Sequence, residues 1–82
     1  MYTIYILFSL KLNKFYTGYS SDFSRRLEEH NRGKTPFMKS GVPWSIVYLT
    51  EFETRKEAMT LEKFIKNRGA RRFLIDNQID VG

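Results

Sequence analysis

Two stretches, TIYIL at Thr3–Leu7 and FYTGYSSD at Phe15–Asp22, decide how this chain folds. Each sets a tyrosine in a run of β-prone residues, and the second ends in helix-capping residues. Met1 to Phe8 alternates β-branched and aromatic side chains and reads as a strand. Phe15 to Ser20 reads as a second strand, and Asn13 within Leu10–Lys14 is a turn residue, so the two form a hairpin. Ser21 or Asp22 then offers an N-cap to FSRRLEEHNR, Phe23 to Arg32, which stops before Gly33, a residue suited to the left-handed position past a helix end.

Further along, GKTPFMKSGVP (33–43) holds two glycines and both prolines and reads as an irregular surface loop. WSIVYLTEF, Trp44 to Phe52, is the third strand; it is apolar on both alternating faces and is expected to be covered on both sides. Thr54 and Glu57 form the T-x-x-E capping box of a second helix, which runs through Ala58, Leu61, Phe64 and Ile65 to about Asn67. Gly69 interrupts it, and ARRFLIDNQI reads as a short third helix with Phe73 and Leu74 for docking, followed by a frayed polar tail, DVG. The order β-β-α-β-α-α predicts an α+β domain over residues 1–82, a small three-stranded antiparallel sheet flanked by helices.

Composition narrows the function classes. An 82-residue chain has room for one domain, and no segment approaches the roughly 20 apolar residues of a membrane span. The absence of cysteine excludes thiolate zinc sites and cysteine nucleophiles and suits a reducing cytoplasm. Fourteen Lys and Arg against nine Asp and Glu give a net charge of +5 and a pI near 9.7, a balance that favours polyanionic partners.

At 100° per residue, Phe23, Arg26, Leu27 and His30 fall on one stripe of the first helix, while Arg25, Glu28, Glu29 and Arg32 point the other way. A guanidinium on or beside a buried face needs a partner: a backbone carbonyl, a tyrosine ring, or a ligand. In the second helix Glu62 borders the apolar stripe, with Lys66 one turn on as its simplest ion-pair partner. The tyrosines have their own structural reading, as cross-strand packing residues.

Together these signals spell a family pattern. TIY at Thr3–Tyr5, YTG at Tyr16–Gly18, Arg26 eight residues after that glycine, His30 one turn later and Glu62 in the late helix resemble the GIY-YIG nuclease superfamily over most of the chain. The resemblance is strongest to its small stand-alone members and extends to the nuclease domains of excision-repair and intron-homing endonucleases. Thr3 stands where the first motif begins with Gly, Thr17 where the second has Ile, and Tyr19 where repair-type members place a Lys. Asn67 and Asn77 are both candidates for the family's late Asn.

The resemblance implies hydrolysis of DNA phosphodiesters with one divalent cation, Mg²⁺ or Mn²⁺, possible substrates being branched or damaged DNA in repair or recombination. Glu62 would hold the metal, Arg26 would clamp the scissile phosphate, and Tyr16 would be the general base. The free phenol pKa of about 10 requires that Arg26 and the cation favour the phenolate. Tyr5 and His30 would orient water or phosphate. Gly18 would let the strand end turn tightly and phosphate approach; Tyr19, Arg25, Lys34 and Lys66 would contact the backbone without reading sequence, while most of the other basic residues, Lys14, Arg32, Lys39, Lys63, Arg68, Arg71 and Arg72 among them, form a solvated face. Two other readings keep the fold: a nucleic-acid-binding module that cleaves weakly or not at all, and a non-catalytic protein-interaction domain.

Overall fold

The computed structural model describes residues 1–33 and 36–79, the side chain of Phe37 excepted. Its elements are β1 (Tyr2–Ser9), β2 (Lys14–Ser20), α1 (Phe23–Arg32), α2 (Pro36–Gly41), β3 (Ser45–Phe52), α3 (Arg55–Arg68) and α4 (Ala70–Asp76). The three strands form one antiparallel sheet in the order β2-β1-β3. The predicted α+β architecture and element order hold, with α2 added.

Local chemistry accounts for the boundaries. Asn13 takes a left-handed φ of 54° in the hairpin turn, a conformation that Asn tolerates better than most residues. The Asp22 side chain accepts the Arg25 amide at 3.3 Å and opens α1, and Gly33 closes it at φ 70°. Thr54 caps α3 by accepting the Glu57 amide at 3.2 Å, while its hydroxyl donates to the Glu57 carboxylate at 2.8 Å, so Glu57 answers the hydroxyl. Gly69 ends α3, and α4 folds back with Phe73 and Leu74 buried.

Two expectations are corrected. The segment after α1 is not all loop, because Pro36–Gly41 is helical and carries the buried Met38. Proline is favoured in the first turn of a helix, where its missing N–H would have no partner anyway, so Pro36 starts α2. Lys34 and Thr35 lie outside the described residues, as does the tail Asp80–Gly82. The second correction concerns β3, which is an edge strand with Ile46 and Leu49 about half exposed. The strand covered on both faces is the central one, β1, whose Ile4, Tyr5, Ile6 and Leu7 are fully buried.

Side chains alternate along β1 and divide the core in two. Ile4 and Ile6 pack with Ala58, Ile65, Phe73 and Leu74 of α3 and α4. Tyr5 and Leu7 face the other way and pack with Met38 and Trp44, with Phe23 and Leu27 of α1 against them. No helix among the described residues is long and apolar enough to cross a membrane.

Candidate active site

The site grows from the register of the hairpin. Tyr5 pairs with Gly18 and Leu7 with Tyr16, so both tyrosines lie on the face covered by α1. Gly18 sits within β2, not at its end, and its value is steric: a Cβ there would lie 2.8 Å from the Tyr5 hydroxyl and 2.9 Å from its Cζ. The missing side chain is what lets Tyr5 lie across β2. Its ring stacks on Tyr16 at 6.3 Å between centroids and meets Phe23 at 5.0 Å.

Helix α1 brings in the polar groups. His30, on its last turn, is buried against both tyrosines, with its ring 4.7 Å from that of Tyr16 and 5.9 Å from that of Tyr5. Its Nδ1 lies 2.8 Å from the Met38 sulfur and its Nε2 3.2 Å from the Tyr5 hydroxyl. A thioether can only accept, so Nδ1 carries the proton and Nε2 accepts from the Tyr5 O–H. The Arg26 guanidinium acts on the Tyr5 oxygen, holding the phenol pKa down against burial. The result is a directed chain from Tyr5 through His30 to the Met38 sulfur, with the imidazole neutral.

The electrostatics agree with this proton placement. Burial raises the Tyr5 pKa above 10.0, the Arg26 hydrogen bond opposes the rise, and the charges of Tyr16 and Glu62 add to it. Burial also lowers the His30 pKa below 6.5, helped by the Arg26 charge and opposed by Glu29. Arg26 is the cation of the cluster; its bond to Tyr5 strengthens its hold on the proton, and its guanidinium lies 3.7 Å from Glu29. Glu29 is therefore drawn toward the site, whereas the helical wheel turned it away; its side chain is only 18% exposed.

Glu62 approaches differently. It stands on α3, whose Ala58 and Ile65 pack on the opposite face of the sheet, and its carboxylate is 3.4 Å from the Lys66 ammonium. The side chain is 18% exposed, and its charge is felt at the Tyr5 phenol. Direct contacts thus join Tyr5, Tyr16 and His30, with Arg26 acting on Tyr5 from the same helix as His30, whereas Glu62 stands on the helix whose buried residues pack on the other face. Among the described residues no group of three or more His, Asp or Glu is placed to hold a metal. A single carboxylate fits a hard hydrated ion such as Mg²⁺, which keeps most of its waters and takes further oxygens from phosphate.

Of the residues expected to contact nucleic acid, Arg25 is exposed and 3.6 Å from Asp22, Lys66 is held by Glu62, and Lys34 lies outside the described residues. The Tyr19 hydroxyl accepts from Arg55 Nε at 3.2 Å. Sequence reasoning missed Met38, Trp44 and Arg55. Trp44 packs 6.5 Å from Tyr16 and donates its indole N–H to the Met38 carbonyl at 3.0 Å, which ties α2 beneath the site. Pro36 was the available signal for α2; nothing local distinguishes Arg55 from other surface cations.

The glycine-dependent tyrosine pair thus lies beneath a helix that carries an arginine and a histidine, and comparison with known proteins gives the class to which this arrangement belongs. The family model of the GIY-YIG catalytic domain matches residues 1–74, and the chain belongs to this family. A UPF0213 protein of Limosilactobacillus reuteri (strain DSM 20016) is 30% identical over 98% of the chain and 88% of its own length. Another, from Streptococcus pyogenes serotype M5 (strain Manfredo), is 37% identical over 68% of the chain, which spans 62% of that protein. The solution NMR structure of a UPF0213 protein from Bacillus halodurans aligns with a TM-score of 0.60 at 29% identity, covering 99% of this chain and 89% of that one.

Proposed function

We propose that this domain is a divalent-metal-dependent endonuclease that hydrolyses DNA phosphodiesters without reading sequence. The observation that carries the reading is the contact cluster of Tyr5, Tyr16 and His30, with Arg26 acting on the Tyr5 phenol. Tyr16, half-buried against His30, is the general base for the attacking water. Arg26 neutralises charge developing on the phosphate, and its planar fork matches two phosphate oxygens. Tyr5 and His30 do not take the reacting proton; their hydrogen bond fixes the face on which Arg26 and Tyr16 work. Glu62 would hold the Mg²⁺ or Mn²⁺ ion, which when bound supplies Lewis-acid stabilisation of the phosphate and leaving oxygen. Lys66 must then release the carboxylate.

The test is to incubate the protein with linear, nicked and branched DNA at low salt, with Mg²⁺, Mn²⁺ or EDTA. Cleavage that needs the metal and disappears in Glu62→Gln is the expected result. Absence of cleavage on all three DNAs, or cleavage unchanged in EDTA, would refute the reading.

A further inference from the structure

The outer face of α3 carries a groove of about 790 Å³ whose walls include Arg55, Lys56, Lys63 and Lys66, with Glu62 as the single carboxylate among its lining residues. With Met59, Thr60 and Asn67 between and beyond them, these positions form the pairs 55/56, 59/60, 62/63 and 66/67, which recur every three or four residues and so share one helix face. From Arg55 to Lys66 the helix rises about 16 Å, the axial length of roughly five nucleotides of one DNA strand.

Arg55 differs from most arginines of this molecule. Arg25, Arg26, Arg32 and Arg68 each face a carboxylate, so their charges are locally answered. Arg55 is instead held by a neutral group, the Tyr19 phenol on β2. This bond orients the guanidinium and leaves its charge free to act outward. Tyr19 directly follows Gly18, so the bond connects the tyrosine hairpin to the start of the groove.

Resting on the nuclease reading above, we propose that the α3 groove carries the phosphate backbone of one DNA strand past Glu62, with Tyr19-held Arg55 as its entry contact. Charge complementarity argues for this occupant: four cations surround one carboxylate that is itself paired with Lys66. Tyr19 is a positioning residue, and the phosphate contacts are made by Arg55 and Lys63.

The experiment is binding of a short fluorescein-labelled duplex, read by anisotropy in EDTA across a salt series. Each phosphate contact contributes about 0.9 to the slope of log affinity against log salt, so Arg55→Gln and Lys63→Gln should each lower the slope by about that amount. That is roughly a 3.5-fold share of the weakening between 50 and 200 mM salt. Tyr19→Phe should weaken binding while keeping the slope, because Arg55 stays charged but loses its hold. Arg71→Gln removes an equal charge at a cation bound to Asn13 and Phe15, outside the groove, and should leave the slope unchanged. Equal slopes for wild type, Arg55→Gln and Lys63→Gln would overturn the groove even if wild type cleaves DNA. Failure of wild type both to bind and to cleave would overturn the nuclease reading and the groove with it. Displacement of the duplex by polyglutamate as readily as by unlabelled DNA would identify an acidic polypeptide as the occupant and overturn the assignment to DNA.

Discussion

The two faces of the sheet are built from the same central strand and do opposite work. On one, Ile4 and Ile6 meet Ala58, Ile65, Phe73 and Leu74, a cluster held by burial alone. On the other, Tyr5 and Leu7 meet Met38 and Trp44, and a buried histidine and a partly buried arginine enter the same layer. An apolar face tolerates substitutions that conserve volume. The tyrosine face is less forgiving, because a buried polar group stripped of its partner costs about 1–3 kcal/mol. Single-residue alternation along β1 thus lets one strand anchor α3, the helix that carries Glu62, on one side and seat the tyrosine cluster on the other.

The sharpest way to break that comparison is to damage each face separately. Tyr16→Phe keeps the ring and its contacts with His30 and Trp44. Cleavage should fall on the order of a hundredfold to ten-thousandfold, with the melting temperature moved by a few degrees at most. Single-turnover rates alongside thermal melts decide it, and near-equal rates would remove Tyr16 from the role of base. Ile65→Ala should do the reverse. Loss of this fully buried side chain should cost about 2–5 kcal/mol, and at roughly 4–8 °C per kcal/mol for a domain of this size the melt should drop steeply. Cleavage per folded molecule, measured well below the transition, should match wild type. A selective loss of rate without loss of stability in Ile65→Ala would mean that the two faces are not separate in function.

Much of this division can be read along the chain, and the rest depends on contacts remote in sequence. The capping residues Asp22 and Thr54 and the left-handed Asn13 are local chemistry, so the hairpin and the starts of α1 and α3 are legible. The helical stripe likewise puts His30 on the buried side. Strand order is not local: β3, like β1, carries apolar residues on both alternating faces, yet it lies at the edge, with Ile46 and Leu49 half exposed. Glu29 is turned toward the site by its attraction to Arg26, a force that the periodicity of apolar residues does not register. Met38 fixes the histidine tautomer from a six-residue helix too short for its periodicity to be seen.

A smaller perturbation joins stability to chemistry. Gly18→Ala introduces a Cβ 2.8 Å from the Tyr5 hydroxyl and 2.9 Å from its Cζ, and the ring must move. The expected cost is about 1–3 kcal/mol, and the displaced hydroxyl should also loosen from His30, so melting temperature and cleavage rate fall together. The histidine ring signals in NMR spectra report the second effect directly, because the chain has one histidine. A variant that is destabilised while its imidazole shifts stay unchanged would show that Gly18 serves packing alone.

The smallest expected effect is a pH dependence confined to the tyrosine face. Burial and the Arg26 charge hold the His30 pKa below 6.5, against the opposing pull of Glu29. The folded protein therefore takes up this proton less readily than the unfolded chain. Above an unfolded value of about 6.5 both states carry neutral imidazole, and the contribution of His30 to stability is complete. As pH falls below that value the unfolded state gains a proton first, so stability declines, and the decline levels off once pH passes the lower folded pKa. Protonation would also force Nε2, which accepts from the Tyr5 hydroxyl, to donate instead. Thermal melts between pH 7 and 5 should show this decline in wild type, and His30→Gln should show a shallower one, since its amide does not titrate. The difference between the two curves isolates His30 from the carboxylates, whose unperturbed values of about 4 lie lower. Parallel curves for the two proteins, or an imidazole midpoint above 6.5 by NMR, would show that the fold does not disfavour the charged imidazole.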